Sequence, residues 1–261
     1  MDRGIVVAAS HHIEWILPWW WYNYRVHNDF PVAFFDLGMT EKAQEWCKER
    51  GELFSLEISD SIICGKEKIE PSLASKWEQI IGSGVWDMRL HWFKKPFVFA
   101  QSPFLKSVWI DLDCEVRCCL DSLFSCCEND AGLAIAREPE PFQKGWQELG
   151  FSLPGEINYN TAVVVYHQKT PVLAQWLQEI ISRNHMYTSD QDALSRILFL
   201  EKPSFQELAP EYNWDRGLGS NANALIFHWH GQKGKRMIKE QMEALSSLKF
   251  VDLPFAIPER V

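Results

Sequence analysis

The chain has 261 residues, of which 46% are hydrophobic and 23% charged, and a formal net charge of -9. This is an ordinary globular composition, ample for one large α/β domain with a sizeable core, and it excludes a disordered or fibrous chain. The acidic balance and the lack of a long Lys/Arg run argue against nucleic acid as a partner.

The first element in chain order is Gly4-Ile5-Val6-Val7-Ala8-Ala9, a short β-branched run ending in small residues that predicts a buried strand. Residues 14–27 have helical length and an apolar majority. Pro31 to Phe35 predicts a second buried strand, Asp36 to Thr40 a turn, and residues 41–50 a helix capped by Thr40 and ended by Gly51. This strand–helix alternation signals a parallel sheet with crossover helices. Residues 58–84 mix Gly, Pro and Ser with charges and predict an irregular surface excursion.

Residues 86–101 predict helix, with Pro96 starting or kinking it. Val108 to Ile110 is a buried strand running into Asp111-Leu112-Asp113, and Ala131 to Ala136 a further strand. Residues 138–156 form a polar, Pro- and Gly-bearing stretch, expected as a loop able to act as a mobile lid. Asn160 to Tyr166 is strand-like, residues 171–184 helical, and Ser189 caps a helix over residues 190–199. Leu225 to Phe227 predicts a last strand leading into His228, and residues 237–248 a C-terminal helix.

Thirteen tryptophans are more than usual. They read first as buried packing and second as ring-stacking surfaces for sugars. Seven cysteines, five of them between Cys114 and Cys127, form an odd total with two adjacent pairs, against a secreted disulfide framework. Their spacing is not that of a zinc site, and reduced, half-buried thiols are expected. The N-terminus lacks the apolar run of a signal peptide, so the expected compartment is a reducing cytosol. Residues 13–24 contain Glu14 and Pro18 and are too short to span a bilayer. They read as an amphipathic core helix, with peripheral contact at the inner membrane surface through Trp19, Trp20 and Trp21 left open.

Three constellations carry chemistry. Asp111 and Asp113 close a buried strand near the middle of the chain, and in open α/β sheets ligands gather at the carboxyl ends of strands. Two carboxylates two positions apart there can face one hard cation, and Mg²⁺ or Mn²⁺ accepts such oxygen ligation alongside diphosphate oxygens. His228-Trp229-His230-Gly231-Gln232-Lys233 also follows an apolar strand. A neutral imidazole can complete the coordination of a divalent ion. Gly231 permits close backbone approach to phosphate, and Lys233 or Lys235 adds charge. Ser189-Asp190-Gln191-Asp192 is either an acidic helix start stabilised by the dipole or a cleft element binding sugar hydroxyls.

Taken together, these segments resemble the retaining glycosyltransferases of family eight and their bacterial relatives in the GT-A superfamily. Gly4 to Ser10 is similar to the first strand, whose end holds the nucleoside, and Phe34 to Thr40 to the second-strand turn. Ser107 to Asp113 is similar to the metal-binding DxD strand. Asn158 to Val164 resembles the "FNSGV" segment, Asp190 to Asp192 the "DQD", and His228 to Lys233 the "HxxGxxKP" or "HFHGPKP" motif. The departures are Ser10 for a frequent acid, Gly234 for a frequent proline, and the cysteine-rich stretch after Asp113.

The resemblance implies an α/β, GT-A, Rossmann-like fold with a mostly parallel central sheet flanked by helices. It implies one domain over residues 1–261, with 1–113 as the nucleotide-binding half and 114–261 as the acceptor and catalytic half. The implied activity is metal-dependent transfer of a sugar, with retention, from a nucleotide-diphospho-sugar, a UDP-sugar by preference, to a saccharide, lipid-linked or protein hydroxyl. Asp111, Asp113 and His228 are expected to hold Mn²⁺ or Mg²⁺. The donor is expected to contact Ala8, Ala9, Ser10, Lys95, Leu112, Asn160, Gly231 and Lys233, with Asp190 and Gln191 as catalytic candidates near the anomeric centre. No residue stands out as a covalent nucleophile, which favours front-side attack. The competing readings are a sugar nucleotidyltransferase, against which Ala8-Ala9-Ser10-His11 offers no Gly-rich phosphate loop, and a non-catalytic nucleotide-sugar- or carbohydrate-binding protein.

Overall fold

Strand β1 (Arg3–Ala9) is buried from Gly4 onward, and its side chains divide by parity. Ile5, Val7 and Ala9 join one hydrophobic cluster, Val6 and Ala8 another. A strand covered on both faces belongs in the middle of a helix-flanked sheet, and β1 lies there. The computed structural model describes residues 1–56 and 58–247.

After β1 come α1 (Leu17–His27), β2 (Val32–Asp36), α2 (Glu41–Lys48) and β3 (Glu52–Ser55). The β1–β2–β3 pairings are parallel. Glu14, itself buried, ties the two crossovers together by accepting from the Thr40 amide at 2.8 Å and its hydroxyl at 2.7 Å. Asp36 shapes the intervening turn by accepting from the Gly38 and Met39 amides at 2.8 and 2.6 Å. Gly38 has φ +103°, a conformation glycine adopts without steric cost.

The chain then forms α3 (Pro71–Ile81), α4 (Val85–Trp92) and α5 (Lys95–Ala100) before returning as β4 (Lys106–Ile110) on the other side of β1. It goes on through β5 (Cys114–Val116), β6 (Leu133–Arg137), α6 (Glu140–Glu148), β7 (Tyr159–His167), α7 (Pro171–Arg183) and α8 (Asp190–Glu201). The last elements are β8 (Gln206–Glu207), β9 (Trp214–Asp215), β10 (Ile226–His228) and α9 (Gly231–Ser247).

The main sheet has seven strands in the order β3-β2-β1-β4-β7-β6-β8. Only β7 runs antiparallel to its neighbours, so the expected mostly parallel, helix-flanked architecture is the one observed. Strand order reverses between β1 and β4, where doubly wound sheets open a ligand crevice at the carboxyl ends. Because β7 is reversed, its first residues lie where β4 and β6 finish. Asp111, Glu138, Asn160 and Thr161 are thereby gathered on one edge. A second, three-stranded sheet, β5-β10-β9, brings His228 to the same place.

Several expectations need correcting. The excursion expected to be irregular over 58–84 contains α3, opened by Pro71 in its first turn and capped by Glu70, which accepts from the Leu73 amide at 2.9 Å. The stretch 138–156 contains α6, and it is pinned rather than free. Gln143 donates to the Asn158 carbonyl at 2.7 Å and accepts from its amide at 2.9 Å, and Glu156 takes Arg196 Nε at 2.9 and 3.0 Å. The C-terminal helix begins six residues before the expected Met237, and Leu248, its expected end, lies outside the described residues. Trp19 and Trp20 are fully buried and unavailable to a membrane surface, while Trp21 is partly buried against the core. No described helix is long and apolar enough to cross a membrane. The helix expected over 86–101 breaks into α4 and α5, with Pro96 in the first turn of the second.

Candidate active site

The last residue of β4 hands the chain to a short turn in which the Asp111 amide donates to the Ala162 carbonyl of β7 at 2.8 Å. The Asp113 carbonyl accepts from the Trp229 amide at 2.8 Å, fastening the turn to the loop after β10. These two backbone bonds set the two acids on different partners.

Asp111 faces Lys95. The Lys95 ammonium is 3.1 Å from Asp111 Oδ1 and 3.8 Å from Asp190 Oδ2, and it donates to the Thr161 carbonyl and hydroxyl at 3.1 Å each. Burial opposes its charge, but Asp111 and Asp190 outweigh burial and raise its pKa. The indole of Trp109 donates to Asp111 Oδ1 at 2.6 Å. Asp190 is buried and accepts from the Thr161 hydroxyl at 2.9 Å. Burial raises its pKa, against the pull of Lys95.

Asp113 faces His228 and Lys235. Its Oδ1 is 3.5 Å from His228 Nε2 and its Oδ2 3.4 Å from Lys235 Nζ. Burial pushes the carboxyl up, but Lys235 and then His228 hold it well below the usual carboxylate range. His228 is 5% exposed, and its Nδ1 has no hydrogen-bond partner among the described residues. The ligand atoms of Asp113, Cys114 and His228 all lie within 4.8 Å of one another, and Asp111 is not part of that group. Burial pushes the Cys114 thiol well above its usual range, with Asp113 and Asp111 adding to the effect. Next to this group, His230 Nδ1 lies 2.9 Å from Asp215 Oδ2. That bond raises the imidazole's pKa.

A third node was not expected from sequence. Glu138, at the carboxyl end of β6, is buried. Its Oε1 accepts from Asn160 Nδ2 at 2.8 Å and Gln191 Nε2 at 2.9 Å, while Oε2 is buried without a partner. Asn160 Oδ1 in turn accepts from Asn213 at 2.9 Å. Glu138 opens onto a cavity of about 510 Å³ lined by Gln143, Glu156, Asn213, Trp214 and Leu218 among others. The readable signal for Glu138 was an acid directly after a buried strand, the feature that singles out Asp111.

The structure thus brings together Lys95, Asp111 and Asp190 in one node, Asp113 and His228 in a second, and Asn160 and Gln191 in a third. Ala8, Ala9 and Ser10 are buried at the end of β1, on the other side of the β1/β4 crevice. Leu112 is buried in the core. Gly231, with φ +77°, opens α9. Lys233 is exposed on the first turn of that helix, and it is Lys235 that reaches Asp113. A Cβ on Gly234 would lie 1.3 Å from the Trp229 carbonyl oxygen, so a side chain at this position would collide with backbone.

The sheet order, the reversed β7 and the strand-end acids define the GT-A fold. The chain superposes on the galactosyltransferase LgtC, solved with donor and acceptor sugar analogues, with TM-score 0.61 and 14% identity over 99% of this chain and 98% of that one. Mouse xyloside xylosyltransferase 1 matches with TM-score 0.58 and 14% identity over 87% and 97%. The glycosyltransferase GlyE of Streptococcus pneumoniae TIGR4 matches with TM-score 0.58 and 14% identity over 96% of this chain and 64% of that one. No protein-family model matches the sequence, and no curated protein matches it.

Proposed function

We propose that this protein is a metal-dependent glycosyltransferase that moves a sugar from a nucleotide-diphospho-sugar, a UDP-sugar, to a hydroxyl acceptor with retention at the anomeric carbon. The observation that carries the reading is the meeting of Asp113 with His228, across two sheets, beside the β1/β4 crevice and within reach of Lys235. The solved structures of this fold that match the chain include galactosyl- and xylosyltransferases.

The residues present fit a divalent cation. Asp113 Oδ1 and His228 Nε2 stand 3.5 Å apart, long for a hydrogen bond but within reach of the spacing of adjacent ligands on one ion. A carboxylate and an imidazole suit Mn²⁺ or Mg²⁺. Asp113 and His228 would hold it; Asp111, paired with Lys95 and the Trp109 indole, would join only by leaving those partners. When bound, the ion supplies positive charge to the diphosphate leaving group.

The chain's own residues do the rest. Lys235 adds a fixed cation beside Asp113, and the amide groups opening α9 favour an anion there. The nucleoside would lie against the end of β1, at Ala8, Ala9 and Ser10. Lys95 holds the Asp111 and Asp190 side chains in place between α5, β4 and α8. Glu138 fixes the Gln191 and Asn160 amides, which orient the donor sugar and the incoming hydroxyl. Gln191 and Asp190 would lie nearest the reacting carbon. Acceptors reach the site from the cavity walled by Trp214 and Leu218, where an aromatic face and amide side chains suit a saccharide.

UDP release from a panel of UDP-sugars, with and without Mn²⁺, tests the reading. The expected result is metal-dependent release that Asp113→Ala abolishes while circular dichroism stays unchanged. Undiminished turnover in that variant overturns it.

A further inference from the structure

A chain of side-chain amides beside the carboxyl end of β6 has its polarity fixed by one acid. An ionised carboxyl only accepts, so Asn160 must turn its Nδ2 to Glu138 Oε1, at 2.8 Å. Asn160 Oδ1 then faces the other way and accepts from the Ala162 amide and from Asn213 Nδ2, at 2.9 Å each. Asn213 is left to present its own Oδ1. Glu138, whose Oε1 also takes Gln191 Nε2, is left to present Oε2. Both oxygens are buried without a partner among the described residues, on residues 5% and 7% exposed. Buried polar atoms are nearly always paired. These two are acceptors, so the partner they call for is a donor.

Both residues line the cavity of about 510 Å³, a volume in the range of small-molecule sites. Its charge is one-sided. Glu138, Glu140, Glu156 and Glu207 line it against a single cation, Arg137. Arg137 is bonded to Glu207 at 2.5 Å, and Arg196 meets Glu156 at 2.9 Å. Glu140, which is exposed, has Lys144 at 3.5 Å. Among the described residues Glu138 is answered only by the neutral amides of Asn160 and Gln191. The His230 imidazole feels its charge, but its Nδ1 is bonded to Asp215.

We propose that this cavity takes an acceptor bearing a free amine, an unacetylated amino sugar. Its ammonium pairs with Glu138 Oε2, and a ring hydroxyl donates to Asn213 Oδ1. The inference rests on the preceding reading in taking the cavity as the acceptor's approach, and it narrows the acceptor's chemistry. A buried charge without a counter-charge is costly. An ammonium removes that cost, whereas a hydroxyl or an acetamide supplies only a neutral hydrogen bond. Trp214, its indole N–H already given to the Gly219 carbonyl at 3.0 Å, meets the cavity with apolar ring surface suited to a sugar. The amine anchors the acceptor and takes no part in bond making; a hydroxyl of the same sugar receives the glycosyl group.

The test compares three forms of one sugar. The methyl glycosides of glucosamine and galactosamine, their N-acetyl forms and their 2-hydroxyl counterparts are titrated calorimetrically into the full chain, with and without UDP. The same compounds are then offered as acceptors in the UDP-release assay. The amine is expected to bind about tenfold or more tightly than either counterpart. That preference is expected to fade as pH rises past the point where the sugar's ammonium loses its proton. Glu138→Gln keeps the side chain's shape and removes its charge, and it is expected to bring the three forms within about a factor of two of one another. Equal binding of amine and hydroxyl forms by the parent protein overturns the proposal without recourse to any variant. A preference that Glu138→Gln leaves intact overturns it too. Turnover of UDP-sugars with neutral acceptors alone sinks this proposal and leaves the transferase reading standing. Glu138-dependent binding of the amine, in a chain that turns over no UDP-sugar with any acceptor, keeps the site and sinks the transferase reading.

Discussion

The Lys95 ammonium sits 3.1 Å from Asp111 Oδ1, and the same atom is 3.8 Å from Asp190 Oδ2. One buried cation on α5 thus neutralises two acids from separate elements, one closing β4 and one opening α8. Their mutual repulsion would otherwise spread the site apart. Removing one partner of a buried ion pair leaves uncompensated charge and costs about 3–5 kcal/mol. Lys95→Met is therefore expected to lower stability by roughly that amount. Lys95→Arg, which keeps the charge, is expected to lose less. Denaturant unfolding of the three proteins checks the order, and equal midpoints for Lys95→Met and the parent would contradict it.

Glu138 yields a prediction that separates binding from chemistry. Its Oε1 is the common acceptor for the Asn160 and Gln191 amides, so truncation frees both side chains at once. Glu138→Ala is expected to reduce kcat about 100-fold, the scale of losing orientation at the reacting centre, while leaving UDP affinity within a factor of two or so. Glu138→Gln keeps an acceptor oxygen and should retain more activity. Calorimetric titration with UDP beside a turnover assay reads both effects, and a parallel fall in UDP affinity would place Glu138 in nucleotide binding instead.

The two strand-end motifs were legible because their logic is local: an apolar run that must be buried, followed by an acid or imidazole that must emerge at its end. That logic located Asp111, Asp113 and His228, and the helix cap located Asp190 and Gln191. Partnerships were less readable. Nothing in Asp-x-Asp says that Asp111 belongs to Lys95 while Asp113 belongs to His228 and Lys235; that depends on β7 being reversed and on β10 crossing from a second sheet. Composition also hid helices. Gly231 and Gly234 disguised the start of α9, and Pro139 and Pro141 made α6 look like a loop, although prolines are tolerated in a first helical turn. Glu138 was passed over for the same reason, being assigned to that loop and not to the strand before it.

Gly234 is expected to tolerate no substitution. A Cβ there would overlap the Trp229 carbonyl oxygen, and Trp229 is tied through its amide to Asp113. Relief requires α9 to shift, drawing Lys235 away from the carboxylate. Gly234→Ala is expected to cost about 1–3 kcal/mol, the range for forced overpacking, and to weaken UDP binding along with it. A thermal melt and a UDP titration check the two effects. An alanine variant as stable as the parent would show that the helix start can move freely.

Asp192 gives a pH dependence with a defined sign. Its Oδ2 accepts from the Ser189 amide at 3.0 Å, but Oδ1 is buried without a partner, and burial pushes the carboxyl up to about 7. The unfolded chain releases this proton near pH 4. Between those values the folded state holds the proton and the unfolded state does not. Stability contributed by this group is therefore full below about pH 4 and lost as pH rises toward 7, at no more than about 1.4 kcal/mol per pH unit. Asp192→Asn removes the titration. The stability difference between variant and parent is expected to shift in the variant's favour across that window, as read from unfolding midpoints at successive pH values. A difference that stays flat would mean the carboxyl titrates normally.

Arg89 is the residue that holds the start of α8 from behind. It is 1% exposed, and it donates to the carbonyls of Tyr187, Thr188 and Asn184. Its guanidinium lies 4.6 Å from the Trp77 ring centre and 4.7 Å from that of Phe93. Burial lowers its pKa to about 10, so it remains charged at neutral pH. No carboxylate forms an ion pair with it among the described residues. Carbonyl dipoles and aromatic faces stabilise it instead, and both need the planar, multi-donor head of arginine. Arg89→Lys keeps the charge but cannot span three carbonyls. It is expected to lose about 2–3 kcal/mol through donors left unmade and to loosen residues 184–189, directly ahead of Asp190 and Gln191. Hydrogen exchange is the decisive measurement. Faster exchange confined to that segment and the start of α8 is expected, whereas uniform acceleration would make Arg89 a general core residue with no particular hold on the site.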